Sequence, residues 1–373
     1  MEPGALFWLA VKAVAIAALP LAYVFFSRAP DKFRKLAWVT AFLTFDLILF
    51  GAFTRLTDSG LGCPDWPGCY GHSNPLSAGE SIRAAETAQP TGPVTMTKAW
   101  IEMLHRYFAM AVGFLIIVLM VMAWQRWRRD RRRSPWLATV IFFAVCLQGA
   151  FGAWTVTMKL QPLIVTVHLL GGLTLLALLV WLAMREESTA PSFLRKREPS
   201  DVGQGTGFPL PREQHIRSLA ALAFVLLYLQ IALGGWVSTN YAVLACPDFP
   251  LCQGQWLPPM NFAQGFTLWR DLGETASGEP IVFAALVAIH WTHRHVAYLV
   301  FAVLGRLAWR LWRVPGCERL ARALVVLLLA QLATGVSNVV FAWPLSAAVL
   351  HTGGAALLVA VLVAINFRLT LLR

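Results

Sequence analysis

The chain has 373 residues, of which 58% are hydrophobic and only 13% charged, and its mean hydropathy is +0.61. A soluble globule of this size would need far more polar surface, so the composition excludes one and places the chain in a lipid bilayer. A formal charge of +12 would suit nucleic acid, but the excess Lys and Arg sit in short segments between long apolar runs. That pattern is topological anchoring and leaves no nucleic-acid partner.

A hydrocarbon core is crossed by about 20 apolar residues of helix. In chain order nine segments qualify: 5–27, 36–54, 99–124, 136–157, 163–184, 218–238, 280–305, 323–343 and 345–367. The alternate segments 28–35, 125–135, 185–217, 305–322 and 368–373 hold 23 of the 31 Lys and Arg. They therefore face the cytoplasm, together with the C-terminus, and the remaining loops lie outside. The first segment carries Lys12 but has no clear A-x-A cleavage site, so it reads as a retained helix. Without an Arg-rich and Ser-rich leader, a bacterial inner membrane is the expected home.

The sequence repeats once. Gly51 precedes Cys63 by 12 residues, as Gly234 precedes Cys246, and the loops read CPDWPGC (63–69) and CPDFPLC (246–252). Further on, Glu102-Met-Leu-His105-Arg106 matches His290-Trp-Thr-His293-Arg294, and Gln148, Gly152 and His168 match Gln331, Gly335 and His351. The offset is 183 residues at both ends and 188 at the H-R pairs, which one short outer-loop insertion explains. Each copy holds four helices, an even number, so the copies are parallel and related by a pseudo-twofold axis along the membrane normal. The expected architecture is all-α and polytopic: an extra N-terminal helix with its basic loop (1–35), a four-helix bundle (36–185), a cytoplasmic linker rich in charge, Gly and Pro (186–217), and a second four-helix bundle (218–373).

Four histidines recur by duplication inside spanning segments: His105, His168, His293 and His351. Ionisable groups at that depth default to function. His168, His293 and His351 each lie 17 residues from an anchoring Arg (Arg185, Arg310, Arg368), and His105 lies 21 from Arg126. At ~1.5 Å per residue that is about 25 to 32 Å, toward the outer leaflet. Two imidazoles facing each other across a bundle suit axial ligation of a haem iron, whereas zinc would want three or four ligands per cluster. Gly171, Gly172, Gly353 and Gly354 follow the late histidines. They admit either a flat macrocycle or a close helix neighbour. Arg106 and Arg294 are placed to pair with haem propionates or to snorkel to the interface.

Cys63 with Cys69, and Cys246 with Cys252, stand six apart in outside loops, where two intraloop disulfides are the natural reading. Structural and redox roles are both open for the first pair; the second reads as structural. Cys146 and Cys317 have no counterpart in the repeat. The clearest failure of the duplication is Glu102 against His290. Glu102 lies one helical turn before His105 and faces the same edge of the site. It is either a general acid or base, or a stabiliser of positive charge, or an interfacial Glu at a helix start.

TRLTDSGLGCPDWPGCYG in the first outer loop, E-M-L-H-R, H-x-x-H-R and the two late histidines together resemble the haem A synthase family over residues 36–370. The resemblance implies oxidation of the C8 methyl of haem O to a formyl group by successive hydroxylation. It further implies a resident haem b on His293 and His351, and haem O as substrate on His105 and His168. Glu102 matches the essential glutamate, Cys63 and Cys69 the first-loop pair, and Cys246 and Cys252 the structural pair. Haem O synthase as a partner, an electron donor of unspecified kind and a homo-oligomeric assembly are compatible with it. The extra first helix departs from the usual eight-helix plan, and His290 and His295 flank the expected ligand His293. The rival readings are a cytochrome b-like carrier with two bis-histidine haems, which would tolerate Glu102→Gln, and a transporter exploiting the twofold repeat.

Overall fold

A computed structural model of the chain describes residues 4–188 and 211–371. Most of the expected linker 186–217 lies outside the described residues. The helices are α1 (Ala5–Phe25), α2 (Lys32–Leu56), α3 (Gly79–Ala88), α4 (Met96–Arg129), α5 (Trp136–Thr157), α6 (Pro162–Ser188), α7 (Pro211–Thr239), α8 (Phe262–Gly265), α9 (Phe283–Leu311), α10 (Glu318–Val340) and α11 (Leu345–Thr370). The starts are set by local chemistry. Asp31 accepts from the Arg34 amide (3.0 Å) and Thr95 from the Lys98 amide (3.2 Å), each satisfying an amide that the helix itself leaves unpaired. Pro162 opens α6 and Pro211 opens α7, where a missing N–H costs nothing.

Among the described residues eight helices are long and apolar enough to cross a membrane. The expected span at 280–305 is not one of them. Its helix, α9, has 29 residues, ample length, but His290, His293, Arg294 and His295 crowd four polar side chains into six positions and depress its hydropathy. The protein is an all-α polytopic membrane protein, and its outward faces are correspondingly apolar: Phe143 and Leu147 of α5 are 65% and 56% exposed.

Helix neighbours follow the repeat. Around one ring α2 packs on α4, α4 on α5, α5 on α6 and α6 on α2; around the other α7 packs on α9, α9 on α10, α10 on α11 and α11 on α7. The rings meet through α6 and α11, with α11 also on α2 and α6 also on α7. Residues 183 apart touch where α2 and α7 end. Arg55 donates to the Ser238 carbonyl (2.6 Å) and the Tyr241 hydroxyl to Asp58 (2.6 Å). A single buried core, including Leu36, Leu115, Leu179, Leu304 and Leu362, runs through both rings.

The charge-rich ends converge on one side. Arg126 at the end of α4 pairs with Asp31 and with Glu186 of α6, both at 3.2 Å. On the opposite side α1 packs along α4, and Lys12 explains itself there. Its ammonium donates to the carbonyl and the hydroxyl of Ser73 (2.9 and 3.0 Å), so the charge is spent on the loop after Cys69 and does not face lipid.

Candidate functional site

Each duplicated histidine rests against a glycine on the neighbouring helix. A Cβ built on Gly51, Gly152, Gly234 or Gly335 would lie 3.1, 3.3, 3.0 or 3.2 Å from Cε1 of His105, His168, His293 or His351 respectively. Those distances are tighter than ordinary van der Waals contact, so only glycine lets the imidazole stand where it does. The sequence exposes these four glycines as repeat markers; their function becomes visible only once the helices are in register.

His105 and His168 belong to one ring of helices and His293 and His351 to the other. All four line one largely apolar cavity of about 1580 Å³, together with Glu102, Arg106 and Arg294. That exceeds the ~300–1,000 Å³ of a site for one drug-sized ligand. Among the described residues no cluster of three or more His, Cys, Asp or Glu is disposed to hold a bare metal ion. A donor set of two facing imidazoles in a roomy apolar cavity fits a planar iron macrocycle and does not fit zinc.

The glycine pairs after the late histidines make close helix contacts, and Gly172 also lines the cavity. A Cβ on Gly171 would lie 2.2 Å from Oε1 of Gln148, and one on Gly354 3.2 Å from the Gln331 amide. Those glutamines donate to the backbone carbonyls of His168 (2.7 Å) and His351 (3.0 Å). Gly353 takes the side chain of Leu49 from the other ring. Small residues here serve close helix packing.

Both cysteine pairs are disulfides, Cys63–Cys69 and Cys246–Cys252. Within each loop the Asp after the first Cys accepts two amide bonds, Asp65 from Tyr70 and Gly71, Asp248 from Gln253 and Gly254. From below, the loops are gripped by the two arginines. Arg106 donates to the carbonyls of Asp65 (2.8 Å) and Gly68, Arg294 to those of Asp248 (2.7 Å), Leu251 (2.9 Å) and Cys246 (2.6 Å). Neither guanidinium snorkels: both are buried, and loop carbonyls take up the hydrogen bonding expected for propionates.

The repeat breaks beside these arginines. Glu102, 4% exposed, accepts from Arg106 (2.6 Å) and from the Cys63 amide (2.8 Å). Its counterpart His290 accepts from Nε of Arg294 (3.1 Å). A buried carboxylate thus lines the cavity beside His105, and a neutral ring nitrogen beside His293. His295 stacks on Trp291 at 3.7 Å and its Nδ1 meets that residue's carbonyl. Of the three histidines on this stretch, His293 alone packs against the glycine of its ring.

Fold and site together define a polytopic membrane protein with two pairs of histidines lining one large apolar cavity. The model of a family described as cytochrome oxidase assembly protein matches residues 34–363. The chain is 38% identical over 339 residues to a protein of Shewanella oneidensis named heme A synthase, covering 89% of this chain and 96% of that protein. It is 29% identical over 339 residues to the heme A synthase of Methylobacterium radiotolerans, 85% of this chain and 84% of the other. The chain belongs to the cytochrome oxidase assembly protein family.

Proposed function

We propose that the protein is a haem A synthase, an oxidoreductase that converts the C8 methyl of haem O to a formyl group by successive hydroxylation. Residues 36–185 form the substrate half and 218–373 the cofactor half, joined by the 186–217 linker, with 1–35 as an additional helix on the substrate half. His105 and His168 take the substrate, haem O; His293 and His351 hold a haem b. When bound, haem b supplies one-electron redox chemistry.

The chain's own residues supply the rest. Gly51 and Gly152 fix the imidazoles of the substrate half, and the apolar walls exclude water. Glu102 is held with one carboxylate oxygen on Arg106 and the other on the Cys63 amide. It therefore stands ready to hold or move a proton, or to stabilise positive charge, at the substrate's edge. Arg106 and Arg294 keep the disulfide loops closed over the two sites, and any contact they make with propionates would use the cavity-facing edge. The disulfide side faces the periplasm of a bacterial inner membrane, where the basic helix ends face the cytoplasm. Haem O synthase is the natural supplier of the substrate; an electron donor and a homo-oligomeric assembly complete the reading.

The observation that carries it is Glu102: a buried carboxylate one turn from a haem-ligating position in one half, replaced by His290 in the other. A two-haem electron carrier needs no such group. Co-expression with a source of haem O, followed by haem extraction and mass analysis, tests the reading. Wild type should yield haem A and Glu102→Gln should retain its haem without yielding haem A. Unchanged haem O from intact wild-type protein would favour the carrier.

A further inference from the structure

The four imidazoles share a glycine seat but not the same support at Nδ1. His351 Nδ1 lies 2.9 Å from the Thr334 hydroxyl. That hydroxyl already donates to the Ala330 carbonyl at 2.8 Å, so toward the ring it accepts. Nδ1 therefore carries the proton, and the Nε2 lone pair is left for iron. His293 Nδ1 lies 3.0 Å from the side-chain amide of Gln230, which also reaches the His293 carbonyl at 3.1 Å. Both contacts come from the Nε2 amino group, which only donates, so Gln230 orients the His293 ring from its Nδ1 and backbone edges and does not accept from Nδ1. In the first half the buried Nδ1 atoms of His105 and His168 have no partner. The repeat shows why: 183 residues before Gln230 stands Leu47, and 183 before Thr334 stands Phe151.

We propose that Gln230 and Thr334 are positioning residues that make the His293–His351 pair a holding site for a haem, and that Leu47 and Phe151 leave His105–His168 a releasing site. The proposal rests on the haem reading above and assigns a cause to the difference between cofactor and substrate. An acceptor at Nδ1, as Thr334 is for His351, fixes ring orientation and tautomer, raises ligand basicity and strengthens the bond to the metal, whereas a donor contact such as that of Gln230 holds orientation alone. A ring with neither keeps its glycine seat but is a weaker ligand. A cofactor must stay through many turnovers, whereas a product haem must leave. The chain has placed apolar side chains where the ligand has to let go.

The test uses the full-length protein purified with its haem. Haem b loss is followed by transfer to excess apomyoglobin and the midpoint potential by spectroelectrochemistry. Thr334→Val should weaken retention about 10–100-fold and move the potential to more positive values, because a less basic ligand favours the oxidised iron less; Gln230→Leu removes only an orienting contact on His293 and should weaken retention. Thr334→Ser keeps the hydroxyl and should restore both readouts, which separates hydrogen bonding from helix packing. Reciprocally, Phe151→Thr should raise the amount of haem that co-purifies in the first half and slow its transfer. Retention and potential unchanged in Thr334→Val, or Thr334→Ser behaving like Thr334→Val, would overturn the proposal while leaving the haem reading intact. Wild-type protein without a Soret band would overturn the haem reading and this one with it.

Discussion

Both arginines clamp a disulfide loop, yet removing them should not cost the same. Arg106→Met withdraws the donor at 2.6 Å from Glu102 and the donors to Asp65 and Gly68. Glu102, with 5% of its side chain exposed, then keeps only backbone amides, those of Cys63 and Gly62. Breaking a buried ion pair from one side costs about 3–5 kcal/mol, because a charge is left without compensation. Arg294→Met likewise frees three loop carbonyls, but its other partner is the neutral Nε2 of His290, and a hydrogen bond with only one charged partner is worth about 1.5–3 kcal/mol. The loop terms resemble one another and largely cancel, so Arg106→Met should be the more destabilising by about 1–3 kcal/mol. Neutralising the carboxylate should recover most of that excess: Glu102→Gln/Arg106→Met should be more stable than Arg106→Met alone. Unfolding of the purified proteins by SDS titration in mild detergent measures these three variants and Glu102→Gln on one scale. Equal costs for the two arginine substitutions, or additive costs in the double variant, would falsify the view that Arg106 exists to compensate a buried carboxylate.

Gly51→Ala places a methyl 3.1 Å from Cε1 of His105 and should lower haem occupancy of the first half with little change in stability, whereas Gly171→Ala drives a methyl into Gln148 and should lower stability; haem quantitation beside unfolding separates the two. Cys246→Ser/Cys252→Ser should cost about 2 kcal/mol, the chain-entropy value for so small a ring, measured by SDS titration. The Asp248 carboxyl is held below its ordinary 3.8: burial would raise it but is outweighed by amide donors from Gly254 and Gln253, with the Asp248 peptide and the Arg294 charge adding to them. A depressed carboxylate contributes stability that is present above the unfolded value and lost as pH falls through the folded one. Hydrogen-exchange protection of the Gln253 and Gly254 amides should therefore hold at neutral pH and fade only below about pH 4; protection indifferent to acid would refute the assignment.

The spans, the duplication, the four histidines and both disulfides were legible in the sequence because each leaves a one-dimensional trace: a run of apolar residues, a fixed offset, a pair of cysteines. The inventory of spans was less so at α9, where the very histidines that mark the site erase the hydropathy that marks a span. The short helix α3 also escaped. Its single buried apolar side chain, Ile82, packs against Cys63 and Cys69, a tertiary contact with no periodic signal of its own. Arg106 and Arg294 were legible as functional positions and not as loop clamps, since their partners are backbone carbonyls about 40 to 48 residues away. Carbonyls carry no sequence signature. The anchor of Lys12 on Ser73 was hidden for the same reason.

The contacts on the pseudo-twofold axis explain why asymmetry lies so near the surface of this fold. In an assembly of two identical copies, a residue on the axis faces itself, so an arginine at position 55 would meet another arginine. In this chain Arg55 instead donates to Ser238, and its guanidinium lies 4.2 Å over the ring of Tyr241, whose hydroxyl reaches Asp58. Like charges directly opposed are unfavourable, and once two copies are joined in one chain each partner is free to change alone. The same freedom operates at the sites. A shared glycine seat keeps all four imidazoles in place, while single substitutions put a carboxylate beside His105, a neutral ring beside His293, and an Nδ1 partner under only one of the pairs. A duplicated scaffold therefore needs few changes to make two equivalent histidine pairs chemically different.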